Sequence, residues 1–143
     1  MAQPEAGYAG DVNPGQAFEI LKTDPDAVLI DCRTIPEWQF VGVPDLSSLG
    51  KEVVLLSWQV YPVMDVQADF AVQVATHGVT PDQPVLLLCR SGVRSKAAAI
   101  ALTQAGFHKA FNVAEGFEGD KDDQQHRGRL GGWKAANLPW TQK

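Results

Sequence analysis

Apolar positions along the chain fall into short runs separated by polar turns. Ala27-Val28-Leu29-Ile30, Val53-Val54-Leu55-Leu56 and Val85-Leu86-Leu87-Leu88 are uniformly apolar and rich in branched residues, the pattern of strands covered on both faces. Ala110-Phe111-Asn112-Val113 reads as a further short strand. Asn13 and Pro14 suit a helix cap and first helical position, and Ala17, Phe18, Ile20 and Leu21 follow at amphipathic spacing until Thr23-Asp24-Pro25. Pro36-Glu37-Trp38 starts a short helix. Val66, Phe70, Val74 and Ala75 predict a helix over 65–77 that Gly78 closes. The alanine-rich segment from Lys96 to Gln104 predicts another, and residues 133–137 a final helical turn. Residues 57–64 have no clear period around Pro62 and read as an irregular wall. Strands alternating with helices predict an α/β fold, a mostly parallel central sheet with helices on both faces. One domain over residues 12–143 is expected after a loose lead-in at 1–11.

Composition narrows the function classes. The 143 residues are 45% hydrophobic and 20% charged, with a net charge of −5. That charge argues against nucleic acid or an anionic membrane as main partner. No apolar run approaches the length that spans a bilayer. The N-terminal residues lack the basic and apolar regions of a signal peptide, so a cytoplasmic setting is expected. Two cysteines, Cys32 and Cys89, are too few for a disulfide scaffold. The four aromatics Trp38, Trp58, Tyr61 and Trp133 are read as core and not as substrate contacts.

The candidate chemistry sits where the most apolar strand ends. Cys89 follows Leu88, and Arg90, Ser91, Gly92, Val93, Arg94 and Ser95 lead into a helix. In parallel sheets reactive groups gather at the carboxyl ends of strands. A helix start and cationic neighbours favour the charged form of a thiol there. Backbone N–H groups around the turn, with Arg94 five positions after the cysteine, form an anion cradle, and Gly92 permits an otherwise strained dihedral. The alternative is a buried structural thiol beside solvated arginines. Asp31 and Arg33, at the end of a neighbouring strand, read as a structural pair near that loop, with a direct catalytic role as the alternative. Cys32 is either a small packed hydrophobe or a thiol that resolves an oxidised Cys89.

The stretch Cys89-Arg90-Ser91-Gly92-Val93-Arg94-Ser95 resembles the active-site loop of rhodanese-type sulfurtransferases. The resemblance extends to Asp31-Cys32-Arg33-Thr34 with Glu37-Trp38, to Phe111-Asn112-Val113 with Gly116, and to Gly132-Trp133-Lys134-Ala135-Ala136 with Leu138-Pro139. It implies a single rhodanese-like domain with Cys89 as nucleophile and sulfur carrier. Arg90, Arg94 and the loop backbone from Ser91 to Ser95 would bind the donor anion and the persulfide, Arg94 alternatively bracing the loop. The implied reaction takes a sulfane sulfur from thiosulfate or a similar small donor. It passes that sulfur to cyanide, a thiol or a protein acceptor, with no metal or organic cofactor.

Two other readings stay open. One is a sulfur-relay module that delivers the persulfide to a protein partner. The other is a cysteine-dependent phosphatase or arsenate reductase-like enzyme, although those loops carry one more residue than the four between Cys89 and Arg94. The chain also departs from the family. Val41-Gly42-Val43-Pro44-Asp45-Leu46 keeps the usual proline but lacks the usual histidine. The stretch from Gly116 to Gly132 is long, and its Asp120, Asp122, Asp123 and His126 fit no metal-ligand spacing, so a solvated charged loop is expected.

Overall fold

The four residues Val85–Leu88 are all buried because the strand they form has a neighbour on each side and cover on each face. The computed structural model describes residues 7–60, 62–127 and 129–142. In chain order the elements are β1 (Gly10–Val12), α1 (Pro14–Thr23), β2 (Val28–Asp31), α2 (Ile35–Phe40), β3 (Val43–Pro44), β4 (Val54–Leu55) and β5 (Gln59–Val60). β6 (Asp65–Val66), α3 (Phe70–Thr76), β7 (Val85–Leu88), α4 (Val93–Gln104), β8 (Ala110–Val113) and β9 (Trp140–Thr141) follow. Five strands form one sheet in the order β1-β8-β7-β2-β4, and all its pairings are parallel.

Alternation along the strands divides the core. Ile30, Cys32, Val85, Leu87 and Cys89 face one side, where Phe70 and Val74 of α3 and Ala98, Ala99 and Leu102 of α4 pack against them. Leu29, Leu86, Leu88 and Val113 face the other, against Ala17 and Leu21 of α1, Phe117 and Trp133. The expected α/β class with a largely parallel, doubly covered sheet is therefore what the chain forms. α1 starts at the expected cap: the Asn13 side chain accepts from the Gln16 N–H, and Gln16 returns a bond to the Asn13 N–H.

Several local expectations are corrected. Gly10 and Asp11, read as the end of a loose lead-in, form with Val12 an edge strand in register with Phe111–Val113. Its pairing satisfies the backbone of β8 and needs no apolar signature of its own, and residues 1–6 lie outside the described residues. Residues 57–66 hold a hairpin in place of an irregular wall: Gln59 and Val60 pair antiparallel with Val66 and Asp65. The predicted helix over 65–77 accordingly begins only at Phe70. Its close at Gly78 is as expected, with φ of +87°. Residues 133–137 make a single turn, as expected: the Ala136 N–H donates to the Gly132 carbonyl at 3.0 Å, and Asn137 closes the turn with a positive φ of 58°. Trp140–Thr141 then pairs with β3. Trp58 packs edge-on against Phe70 and Trp133 is fully buried, whereas Tyr61 lies outside the described residues.

At the end of β2, Asp31 and Arg33 form the ion pair that the sequence suggested. Both side chains are fully buried, with Arg33 Nη2 2.7 Å from Asp31 Oδ2 and Nε 2.9 Å from Oδ1. Nη2 also donates to the Gly42 carbonyl at 2.6 Å, and the guanidinium stacks over Phe117, 4.3 Å from the ring centroid. One arginine thus ties the strand end to the turn before β3 and to the segment after β8. Removing it strands a buried carboxylate, which typically costs about 3–5 kcal/mol. Arg33→Ala is expected to lower the midpoint of urea unfolding by a corresponding amount, and an unchanged midpoint would contradict this role.

Candidate active site

β7 delivers Cys89 to the carboxyl edge of the sheet, and the chain must turn into α4 within residues 90–92. Gly92 makes that turn with φ of +103°. A Cβ there would run into the Ala114 carbonyl, so the position needs glycine for space as well as for conformation. The segment after β8 then grips the loop from behind. Phe117 N–H donates to the Cys89 carbonyl at 2.8 Å, and the Glu118 and Gly119 N–H groups donate to the Arg90 carbonyl at 3.0 and 3.1 Å. Both loop carbonyls are thereby occupied on the side of that segment.

Two polar groups meet the sulfur. Gly92 N–H points at Cys89 Sγ from 3.1 Å, and the Ser95 hydroxyl lies 3.2 Å from the same sulfur. α4 begins at Val93, three residues before the predicted start at Lys96. The first bond in this turn runs from Lys96 N–H to the Gly92 carbonyl. The N–H groups of Val93, Arg94 and Ser95 therefore precede the helical ladder and supply the positive end of the helix beside the sulfur.

Arg94 is engaged elsewhere. Its Nη1 and Nη2 meet Glu37 Oε1 and Oε2 at 2.7 and 2.9 Å. The bidentate geometry ties α2 to the start of α4. Glu37 Oε1 also accepts from the Thr34 N–H and hydroxyl. Burial pushes the Glu37 carboxyl up. The Arg94 hydrogen bonds and charge, with those from Thr34, outweigh it and hold Glu37 below the usual carboxylate value. Hydrogen bonding to Glu37 in turn raises Arg94. Arg90 makes no ion pair among the described residues.

Cys89 lines an open cavity of about 400 Å³ with Glu37, Gln59, Met64, Arg90, Ser91, Val93 and Arg94. The sequence-predicted loop residues are thus together, and Asp31 and Arg33 stand behind them as a structural pair. Cys32, beside Cys89 on the neighbouring strand, is fully buried. Burial first, then the neighbouring Cys89 and Asp31, push its thiol well above the ordinary value. In the charged stretch, Asp122 Oδ1 accepts from the Gln124 and His126 N–H groups at 2.9 Å each, the arrangement of a turn cap.

Four contributors were not legible beforehand. Glu37 carries a local signal, since it stands three residues after Thr34 as in a capping box, but nothing local announces its partner 57 positions away. Gln59 and Met64 reach the cavity from a hairpin without apolar periodicity. Asn112, read as part of a strand, accepts from Ser95 directly behind the sulfur.

This geometry has close counterparts. A family model described as the STR4 middle domain matches residues 10–143. The thiosulfate sulfurtransferase GlpE of Vibrio cholerae is 38% identical over 129 residues, 90% of each chain. An uncharacterized protein of Rickettsia conorii, RC0915, is 37% identical over 125 residues, 87% of this chain and 91% of its own. The crystal structure of Rv0390 from M. tuberculosis superposes with a TM-score of 0.86 at 48% identity, covering 95% of this chain and 99% of that one. The chain belongs to the rhodanese-like family and forms a single rhodanese-like domain. Among the described residues, no helix is long and apolar enough to cross a membrane.

The lowered Glu37 gives a pH signature. Its contribution to stability is complete above the ordinary glutamate value of about 4.3 and is lost as pH falls through the lower folded value. Glu37→Gln is expected to be less stable than the parent protein near neutrality, with the difference shrinking as pH drops below about 4. A difference in denaturation midpoint that stayed constant down to acid pH would refute the linkage.

Proposed function

We propose that the protein is a sulfurtransferase in which Cys89 carries a sulfane sulfur as a persulfide. The observation that carries this reading is the arrangement at Cys89 Sγ: the Gly92 N–H and the Ser95 hydroxyl lie 3.1 and 3.2 Å from the sulfur, and Cys89 lines an open cavity beside Arg90. The similarity to a protein named thiosulfate sulfurtransferase supports it.

In the proposed first step the Cys89 thiolate attacks the outer sulfur of thiosulfate or a similar donor. A new sulfur–sulfur bond forms at Cys89, the donor's own sulfur–sulfur bond breaks, and sulfite leaves with the electron pair. The loop N–H groups and the helix start hold the terminal sulfur anion, and Arg90 meets the charge of the donor. Arg94, its guanidinium spent on Glu37, holds the cradle in shape. An acceptor then attacks the outer sulfur and restores the thiolate; cyanide, a small thiol or a protein thiol would each serve. Cys89 is itself the carrier, so the step draws on no organic cofactor. Both cysteines are free, which suits a reducing compartment such as the cytoplasm.

Incubation with thiosulfate is expected to add about 32 Da to the intact mass, one sulfur on one thiolate, and Cys89→Ser is expected to abolish the adduct. An equal adduct on the variant would overturn the assignment. Turnover of thiosulfate with cyanide distinguishes an enzyme from a relay that takes up one sulfur and stops. We also assign Cys32 a packing role, since a thiol pushed up by burial supplies little thiolate at neutral pH. Peroxide is expected to oxidise Cys89 without forming a bond to Cys32. An internal disulfide in the peptide map would instead make Cys32 a resolving thiol.

A further inference from the structure

Behind the sulfur a line of polar side chains leads from the cavity floor to the edge of the sheet. The Ser95 hydroxyl stands 3.2 Å from Cys89 Sγ and 2.5 Å from Asn112 Oδ1. Asn112 Nδ2 donates to Asp11 Oδ1 at 3.0 Å, and the Tyr8 hydroxyl donates to the same oxygen at 2.8 Å. Asp11 and Asn112 are cross-strand partners of β1 and β8, so the sheet register holds them together.

Counting protons orders this line. A carboxylate only accepts, so the amide NH2 of Asn112 must face Asp11, and its carbonyl oxygen must face Ser95. Ser95 has one proton and two acceptors. When Cys89 is a thiol, every donor has a partner: S–H to Ser95 Oγ, and Ser95 O–H to Asn112 Oδ1. When the thiol loses its proton to solvent, the thiolate draws the Ser95 hydroxyl toward itself. Asn112 is buried, and its carbonyl oxygen then loses the Ser95 proton. The orientation imposed by Asp11 therefore makes the amide compete with the sulfur for one proton.

We propose that Asp11 is a positioning residue: by orienting the Asn112 amide, it controls the Ser95 hydrogen bond to Cys89 and so how readily Cys89 gives up its proton. Without Asp11 the amide is free to turn, Nδ2 can donate to Ser95 Oγ, and the hydroxyl proton is released to the sulfur. Other charges around Cys89 are Arg90 and Arg94 on its own loop and helix, Glu37 of α2 through Arg94, and Cys32 with the Asp31–Arg33 pair at the end of β2. Gln59 and Met64 from the hairpin carry no titratable group. The inference rests on Cys89 being the reactive thiol of the proposed function.

The test is the pH dependence of Cys89 alkylation by iodoacetamide, read on the Cys89 peptide by mass spectrometry. Asp11→Ala is expected to move the midpoint of the profile down by about one unit, the scale of one hydrogen bond to a charged group. Asp11→Asn removes the charge but can still present a carbonyl oxygen to Asn112, and is expected to move it by less than about a third as much. Ser95→Ala is expected to raise the midpoint and to erase the effect of Asp11→Ala when the two are combined. Equal shifts for Asp11→Ala and Asp11→Asn would reduce Asp11 to a distant charge and overturn the proposal. So would an Asp11→Ala shift that survives in Ser95→Ala, or no shift in either Asp11 variant. Alkylation needs no sulfur donor, so a protein that takes up no sulfur would defeat the proposed function and leave this result to be judged separately.

Discussion

The structure turns on one close approach of backbone to backbone, where the segment after β8 runs beneath the loop after β7. Phe117, Glu118 and Gly119 give their N–H groups to the carbonyls of Cys89 and Arg90. Three glycines let the chains come this near. A Cβ at Gly92 would collide with Ala114, one at Gly116 with Arg90, and one at Gly119 with Gly131. A further layer follows, since Trp133 N–H donates to the Gly116 carbonyl at 2.8 Å and Gly132 N–H to Glu115 Oε1 at 2.9 Å. The long glycine-rich stretch is thus a brace for the loop at its two ends. What that brace leaves free is the set of N–H groups at the start of α4, the feature an anionic sulfur needs.

Two ion pairs fasten the surroundings of that loop, and they differ in kind. Asp31–Arg33 is wholly buried, and pairs of this sort contribute little net stability against an apolar replacement. Its value is positional, because a single guanidinium meets β2, the Gly42 carbonyl and the Phe117 ring. The turn that lacks the family's histidine is held here by Arg33 and by β9, so its shape does not depend on that side chain. Glu37–Arg94 is only partly buried and lies at the cavity wall. It offsets the charge of Arg94, one of the two arginines of the loop, and leaves Arg90 without an ion pair among the described residues.

Much of this was legible along the chain because it depends on local patterns. Short, uniformly apolar runs rich in branched residues in 28–30 and 85–88 suit a strand covered on both faces, and the Asn13-Pro14 cap marks α1 by its own hydrogen-bonding chemistry. The weak points were elements whose partners lie far off in sequence. Gly10–Val12 and Trp140–Thr141 are strands because the edges they meet have unpaired N–H and C=O groups, and nothing in their side chains announces it. Asp65 and Val66 fit a helical period with Phe70 and Val74, yet the antiparallel bonds to Gln59 and Val60 claim them first.

The order Cys89, four residues, Arg94 was sufficient to mark the candidate loop, since a glycine turn between a buried strand and a helix brings a backbone N–H toward the strand's last side chain. Sequence alone thus determined the α/β class, the candidate nucleophile and the family. The tertiary structure decided what each neighbour does. It gave Arg94 to Glu37, placed Asn112 and Asp11 behind Ser95, and buried Cys32. These assignments depend on distances across 57, 17 and 101 positions of chain. Hydrogen bonds and ion pairs act over a few ångströms of space whatever the separation in sequence, and only the folded sheet brings those groups within reach.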